Sequence, residues 1–582
     1  MVAPMVLVRF LGLLLDLLLF PLRALWKSRA VPEGAFVTLT IDGAVADVVA
    51  KPRFWQFRAR KATSLHTLAT TVKLIAADER VRGLLVTIEN LQAGMATASS
   101  LRALLATLRA AGKEVIVHLP LGAGTKEVLV AMGASKVYVG PATQLAPLGF
   151  LSSTRYFKNA LEKVGVEPEV FACGEFKSAG ETLVRDSMSD AQRMQLGRLL
   201  DSFQGTLVAA IADGRNVSME RARAIVDEAP YFGEECVRAG LCDGVAYEDE
   251  LPALLGIQPA KDGKKARHEL HEKFVDDGDY VAIRERPLLR PLKRPPVIGV
   301  IPVHGAIAHS PMPFGGRVAT DEHVIRMVRA ARRNRRVVGI VLHVDSPGGS
   351  ALASDRMHHE IVQLAREKPL VVCMSNVAAS GGYYVAAPAH RIVCEKTTIT
   401  GSIGVVAARL TAEPLLARFG IVTETLRRGE HAGLLSPSRP LSDDERAAVH
   451  RELEATYRTF VRVVASGRKM REEEVEALAR GRVYTGTDAL DRGLVDALGG
   501  FDTALEELRR LLPVDVRDRA KPQVVKTPRK HVTWLPPPSE GETGRKAAEA
   551  MIGAVLPDSA RTLLGLAVTG ERALALWTGE IR

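Results

Sequence analysis

Short apolar runs rich in β-branched residues alternate with longer stretches of helical periodicity along most of the chain. Ala35–Ile41, Gly83–Ile88, Glu114–Leu119 and Lys136–Val139 have the length and composition of buried strands. Val297–Val303, Val338–Val344, Leu370–Met374 and Arg391–Cys394 form a second set of the same kind. The intervening segments are long enough for crossover helices. That combination predicts the α/β class with mostly parallel sheets.

The two sets are copies. VAMGASKVYVGPATQLAPLG, from Val130 to Gly149, falls on VAAPAHRIVCEKTTITGSIG, from Val385 to Gly404, with a shift of 255. Further along, a shift of 253 pairs Gly214-Arg215 with Gly467-Arg468, Gly240-Leu241 with Gly493-Leu494, and Asp243 with Asp496. Both copies open a helix with a capping-box pattern, Ser189-x-x-Gln192 and Ser442-x-x-Glu445. An internal duplication is the economical explanation. The expected organisation is a membrane-associated helix over 1–30, a first repeat over 31–258, and a charged exposed linker over 259–296. A second repeat over 297–512 and a tail over 513–582 complete it, with helical pattern at Arg545–Thr569.

Met5–Trp26 is apolar apart from Arg9, Asp16 and Arg23, which recur every seven residues and fall on one helical stripe. A spanning helix would carry Asp16 mid-membrane at appreciable cost, whereas an interfacial helix would turn the stripe to water. Both arrangements stay open, and each attaches the chain to a membrane. The net charge of +11 fits an anionic membrane surface. Nucleic acid is excluded as the expected partner, because Lys and Arg are dispersed and lack the interleaved aromatics of a base-stacking surface. The five cysteines form neither CxxC pairs nor zinc spacing, and Cys373 and Cys394 read as buried thiols. No metal or organic cofactor is implied by any motif.

The candidate chemistry comes from what each copy has lost. Val371–Met374 leads into Ala378-Ala-Ser-Gly-Gly382, which exposes Ser380 at a strand-to-helix junction with glycine amides beyond it. Taken alone this is a Gly-rich turn with an incidental serine. In the first copy, however, Thr125 stands at the position of Ser380, and Lys126-Glu127 replace the two glycines. Conversely Lys177, in CGEFKSAGE, falls on Ala432. A lone lysine is ordinarily a solvated surface residue. The reciprocal losses instead suggest one composite site across the two domains, with a serine nucleophile from one copy and an amine base from the other. Lysine serves as a base only when burial with few anionic neighbours lowers its pKa. Asp345-Ser-Pro-Gly-Gly349 follows a strand and offers backbone amides to an oxyanion, while the first copy has no glycine pair there. Ser402 has Pro147 as its counterpart and provides a hydroxyl to hold the lysine. A Ser-His site built on His343, His358, His359 or His390 is the alternative mechanism.

Together DSPGG, AASGGYY and TGSIG, in that order, resemble the signal peptide peptidase A family. The FKSA-type lysine in the first copy is similar to the family's long, duplicated form. The resemblance spans roughly Ala35–Leu512 and implies two tandem ClpP/crotonase-like domains. It implies Ser380 as nucleophile, Lys177 as general base and Ser402 as the residue orienting the lysine. Amides of Gly348, Gly349 and Gly381 would form the oxyanion hole. It further implies a homotetramer at the bacterial cytoplasmic (inner) membrane, with the catalytic domains on the extracytoplasmic side, degrading cleaved signal peptides. Two other classes remain beside this one: a catalytically silent membrane scaffold of the same fold, and a crotonase-like CoA enzyme.

Overall fold

The computed structural model describes residues 30–48, 64–257, 273–285, 295–310, 317–526 and 574–576, with isolated positions near the N-terminus. The N-terminal helix expected over Met5–Trp26 and the helical pattern at Arg545–Thr569 lie outside the described residues. Among the described residues no helix is long and apolar enough to cross a membrane.

Apart from a small sheet of Ala123–Gly124, Gln144–Ala146 and Tyr231–Phe232, the strands in chain order begin with β1 (Ala35–Ala44), β2 (Val81–Gln92), β3 (Glu114–Leu119), β4 (Lys136–Val139) and β5 (Glu167–Cys173). Next are β6 (Gly244–Val245), β7 (Phe274–Asp276), β8 (Val297–His304), β9 (Ala306–Ala308) and β10 (Val318–Thr320). Around the candidate serine lie β11 (Val337–Ser346), β12 (Gly348–Ser350), β13 (Leu370–Ala379), β14 (Arg391–Cys394), β15 (Ile399–Gly401) and β16 (Val405–Thr411). The last are β17 (Val483–Thr485), β18 (Ala497–Leu498), β19 (Lys521–Val524) and β20 (Leu574–Leu576).

The first sheet runs β7-β1-β2-β3-β4-β6, parallel throughout. The second repeat builds the same order, β19-β8-β11-β13-β14-β18, again parallel. Parallel sheets are covered on both faces, which is why their strands read as apolar runs rather than alternating ones. The duplication extends to single hydrogen bonds. Arg215 grips Asp243 through Nη1 and Nη2 at 2.9 and 3.1 Å, and Asp243 also accepts from Val137 N. In the second copy Arg468 grips Asp496 at 2.9 and 2.8 Å, and Asp496 accepts from Ile392 N. The predicted capping box at Ser442 is complete, with Glu445 N donating to Ser442 Oγ and Ser442 N donating to Glu445 Oε2.

Three expectations are corrected. Residues 259–296 are not simply an exposed linker, since β7 joins the sheet edge beside β1 and Tyr280 is fully buried. Likewise the stretch after 512 contains β19, the equivalent edge strand of the second sheet, after a short helix at Val514–Arg517. Both strands are three or four residues long and contain charged residues, so no apolar run marks them. The third correction concerns domain boundaries. One packing unit comprises residues up to Gly149 with Phe203–Pro296, and the other Phe150–Ser202 with residues from Val297 onward. A segment of the first repeat, 150–202, thus packs with the second. β5 pairs antiparallel with β16 over seven residues, from Glu167↔Thr411 to Cys173↔Val405. Phe171 enters the core of that unit with Ile301, Val344, Val405 and Phe460.

Candidate active site

β13 carries the serine to its place. Its first half pairs with β14 (Val371↔Arg391 to Met374↔Cys394) and its second half with β15 (Val377↔Ile399 to Ala379↔Gly401). The strand therefore continues past Met374, where the apolar run ends, and delivers Ser380 directly into the helix α1 (Gly381–Ala386). Ser380 has φ 54° and ψ −116°, a conformation strained for any residue with a Cβ. Its N–H donates to Gly401 O at 2.7 Å, which fixes the sharp turn. Gly382 has to be glycine here, because a Cβ would stand 2.7 Å from Ser346 O. That close approach seats the Ala378–Gly382 turn against the Asp345–Gly349 turn. Asp345 Oδ1 ties the two again by accepting from Val377 N at 3.2 Å.

The lysine arrives from the other repeat's sequence but within the same packing unit. After β5 the chain turns at Gly174, and Phe176 N donates to Arg480 O at 2.8 Å. A Cβ on Gly481 would lie 2.5 Å from Lys177 N, so only glycine admits the lysine backbone. Gln195 completes the bracket, donating through Nε2 to Phe176 O at 2.9 Å and accepting from Val483 N at 2.8 Å. The Arg482 guanidinium covers the Phe176 ring at 4.4 Å.

Lys177 Nζ stands 2.8 Å from Ser380 Oγ, 3.0 Å from Ser402 Oγ and 3.0 Å from Ser402 O. The lysine is 4% exposed, Ser402 1% and Ser380 0%. Ser402 is itself held in positive φ (52°), its N–H donating to Arg482 O at 2.6 Å. Burial pushes the Lys177 ammonium well below the usual lysine range, because nothing charged offsets the loss of water. The site expected between two domains is thus contained in one unit, by donation of residues 150–202.

The glycines differ in availability. Gly348 N already donates to Ser346 Oγ at 3.2 Å. Gly349 has φ 151°, and a Cβ there would meet Ile307 O at 2.0 Å. None of the histidines weighed above bonds to Ser380. His343 Nδ1 is 2.6 Å from His304 Nε2, and His390 Nδ1 accepts from Leu370 N at 3.1 Å. His358 packs edge-on against Tyr384, and burial pushes its imidazole down to about 4. At the matching place in the first copy, Thr125 Oγ1 donates to Gly149 O, and Glu127 Oε2 accepts from Gly124 N.

Gln195, Gly481 and Arg482 were missed by sequence reasoning. The signal for Gly481 was available: at the shift of 253 it falls on Glu228, so the glycine belongs to the second copy alone. Gln195 gave none, since its role depends on two backbone groups that only folding brings together.

A strained, buried serine beside an amine and paired glycines defines a serine hydrolase. The model of Peptidase family S49 matches the chain twice, over residues 107–258 and 362–515, together more than half its length. The two matches start 255 residues apart (362 − 107), the shift of the repeat. The chain is 32% identical over 478 residues to the chloroplastic serine protease SPPA of Arabidopsis thaliana, covering 82% of this chain and 69% of that one. It is 30% identical over 461 residues to Protease 4 of Salmonella typhi, covering 77% and 72%. With Protease 4 of Haemophilus influenzae the identity is 26% over 504 residues, covering 84% and 80%. The chain belongs to peptidase family S49, in its long duplicated form, and is a serine peptidase.

Proposed function

We propose that this peptidase works through a Ser380–Lys177 dyad on a ClpP/crotonase-like scaffold, cutting extended apolar peptides such as excised signal sequences. The observation that carries the reading is the 2.8 Å separation of Lys177 Nζ from Ser380 Oγ in a site with no carboxylate among the amine's partners. A neutral amine has two N–H donors and one lone pair. Its donors suit Ser402 Oγ and Ser402 O, which leaves the lone pair to accept the Ser380 hydroxyl proton. Ser380 Oγ then bonds to the scissile carbonyl carbon while its proton passes to Lys177. The carbonyl oxygen gains negative charge, facing the amides of Gly349 and Gly381. Lys177 returns the proton to the departing amine, and water resolves the acyl-enzyme by the same route in reverse. Gly348 is the weaker donor of the pair, its N–H being engaged with Ser346 Oγ.

A fluorophosphonate probe tests the reading. Labelling at Ser380 that disappears in Lys177→Ala supports it, whereas an unlabelled wild type without peptide turnover indicates the silent scaffold. The proposal extends to a homotetramer attached to the extracytoplasmic side of a bacterial cytoplasmic membrane. The basic charge of the chain and its apolar N-terminal sequence support the membrane part. Flotation with anionic vesicles and mass measurement in solution test the two parts separately.

A further inference from the structure

The second unit contains another sheet, ordered β10-β9-β12-β20-β16-β5, and its fourth strand comes from the far end of the chain. β20 is antiparallel to both neighbours. Leu576, Ala575 and Leu574 face Gly348, Gly349 and Ser350 of β12, and Leu574 also faces Val406 of β16. Without β20 the sheet falls into two parts, β10-β9-β12 and β16-β5, with a strand-wide slot between β12 and β16.

That slot adjoins the proposed chemistry. β12 contains Gly348 and Gly349, and β16 starts three residues after Ser402. β20 also comes within 8 Å, Cα to Cα, of the helix α1 that follows Ser380. Two facing strand edges with unpaired backbone groups form an acceptor for an extended peptide: main-chain pairing holds any sequence, and side-chain fit selects among them. The occupant is Leu-Ala-Leu, apolar and free of charge, matching the peptide class proposed above. Ser380 itself is fully buried.

We propose that the segment Leu574–Leu576 is an in-chain pseudosubstrate, which occupies the peptide groove between β12 and β16 and must leave before another peptide enters. This inference rests on the Ser/Lys reading of the same site. It adds a competitor, whose release sets the apparent affinity for substrate.

The experiment compares three full-length or near-full-length proteins on an extended apolar fluorogenic peptide. They are the wild type, a chain ending at Ala573, and Ala575→Pro, which removes a backbone donor and opposes strand pairing while leaving the remaining residues in place. Both altered proteins are expected to show KM lowered by roughly tenfold or more with kcat retained, as when a site occupied nine-tenths of the time is freed. A synthetic peptide of sequence ERALALWTGE should inhibit the shortened chain competitively, and more strongly than it inhibits the wild type. Unchanged KM in both variants, with Ser380 still labelled by fluorophosphonate, overturns the pseudosubstrate and leaves the dyad standing. Absence of labelling and turnover in all three overturns the dyad reading, and this inference with it.

Discussion

Lys177 Nζ lies 2.8 Å from Ser380 Oγ, although the two residues are 203 positions apart in the chain. The amine's partners are hydroxyl and carbonyl oxygens, and the protein around it excludes water. Burial, with no carboxylate among these partners, disfavours the charged ammonium there. A lowered pKa favours the neutral amine, the form the proposed base requires.

The two side chains should therefore fail together. Ser380→Ala and Lys177→Ala are each expected to lower kcat/KM by about a thousandfold or more, and the double variant by no more than either single one. Lys177→Arg should be equally inactive, because a guanidinium stays protonated. Steady-state kinetics on one peptide checks all four proteins.

The depressed pKa of Lys177 sets a pH dependence with a definite sign. Activity should rise with pH as the amine loses its proton, with the acid limb well below the ordinary lysine range. Stability runs the same way. Between the folded and unfolded pKa values the unfolded chain binds the proton and the native one does not. Unfolding free energy therefore grows with pH across that window and levels off above about 10.4, the free lysine value. Below the folded pKa the cost of burial is felt in full. In Lys177→Met this contribution should vanish from denaturation curves collected at several pH values.

Gly481→Ala is expected to damage catalysis before stability. The added methyl would stand 2.5 Å from Lys177 N, at a position with φ 80°. A displacement of the lysine backbone by about 1 Å should lower kcat on the order of a hundredfold. Near-normal kcat in a folded variant would show that the lysine's position tolerates the shift.

The repeated ion pairs give a comparison inside one molecule. Arg468 and Asp496 have side chains 7% and 17% exposed, against 14% and 33% for Arg215 and Asp243. Removing one partner of a buried pair strands the other, so Asp496→Ala should cost roughly 3 kcal/mol. Asp243→Ala should cost less, because water reaches its arginine more readily. Urea unfolding of the two variants ranks them; the reverse order would mean that exposure does not govern these pairs.

Much of this protein was legible in its residues. Glu114–Leu119, Lys136–Val139 and Arg391–Cys394 are strands over the predicted spans, because a parallel strand buried on both faces is written as an unbroken apolar run. Ser380, Lys177 and Ser402 stood out because duplication gave each position its own control, and the control had lost the group. Other features were not legible. β7 and β19 are three- and four-residue edge strands set among charges, and β13 runs through Ser375 and Asn376, which no apolar pattern marks.

By itself, then, the order of residues determined the alternation of strand and helix, the doubling of the chain and the choice of candidate reactive groups, because these depend on local chemistry and on comparing one copy with the other. Tertiary structure alone decided that residues 150–202 pack with the second repeat, that Gly481 and Gln195 hold the lysine, and that Leu574–Leu576 fills the slot beside Gly349. Each of these is a pairing of backbone or core surfaces distant in the chain. Such pairings are settled by which edges and apolar faces find partners when the whole chain is packed.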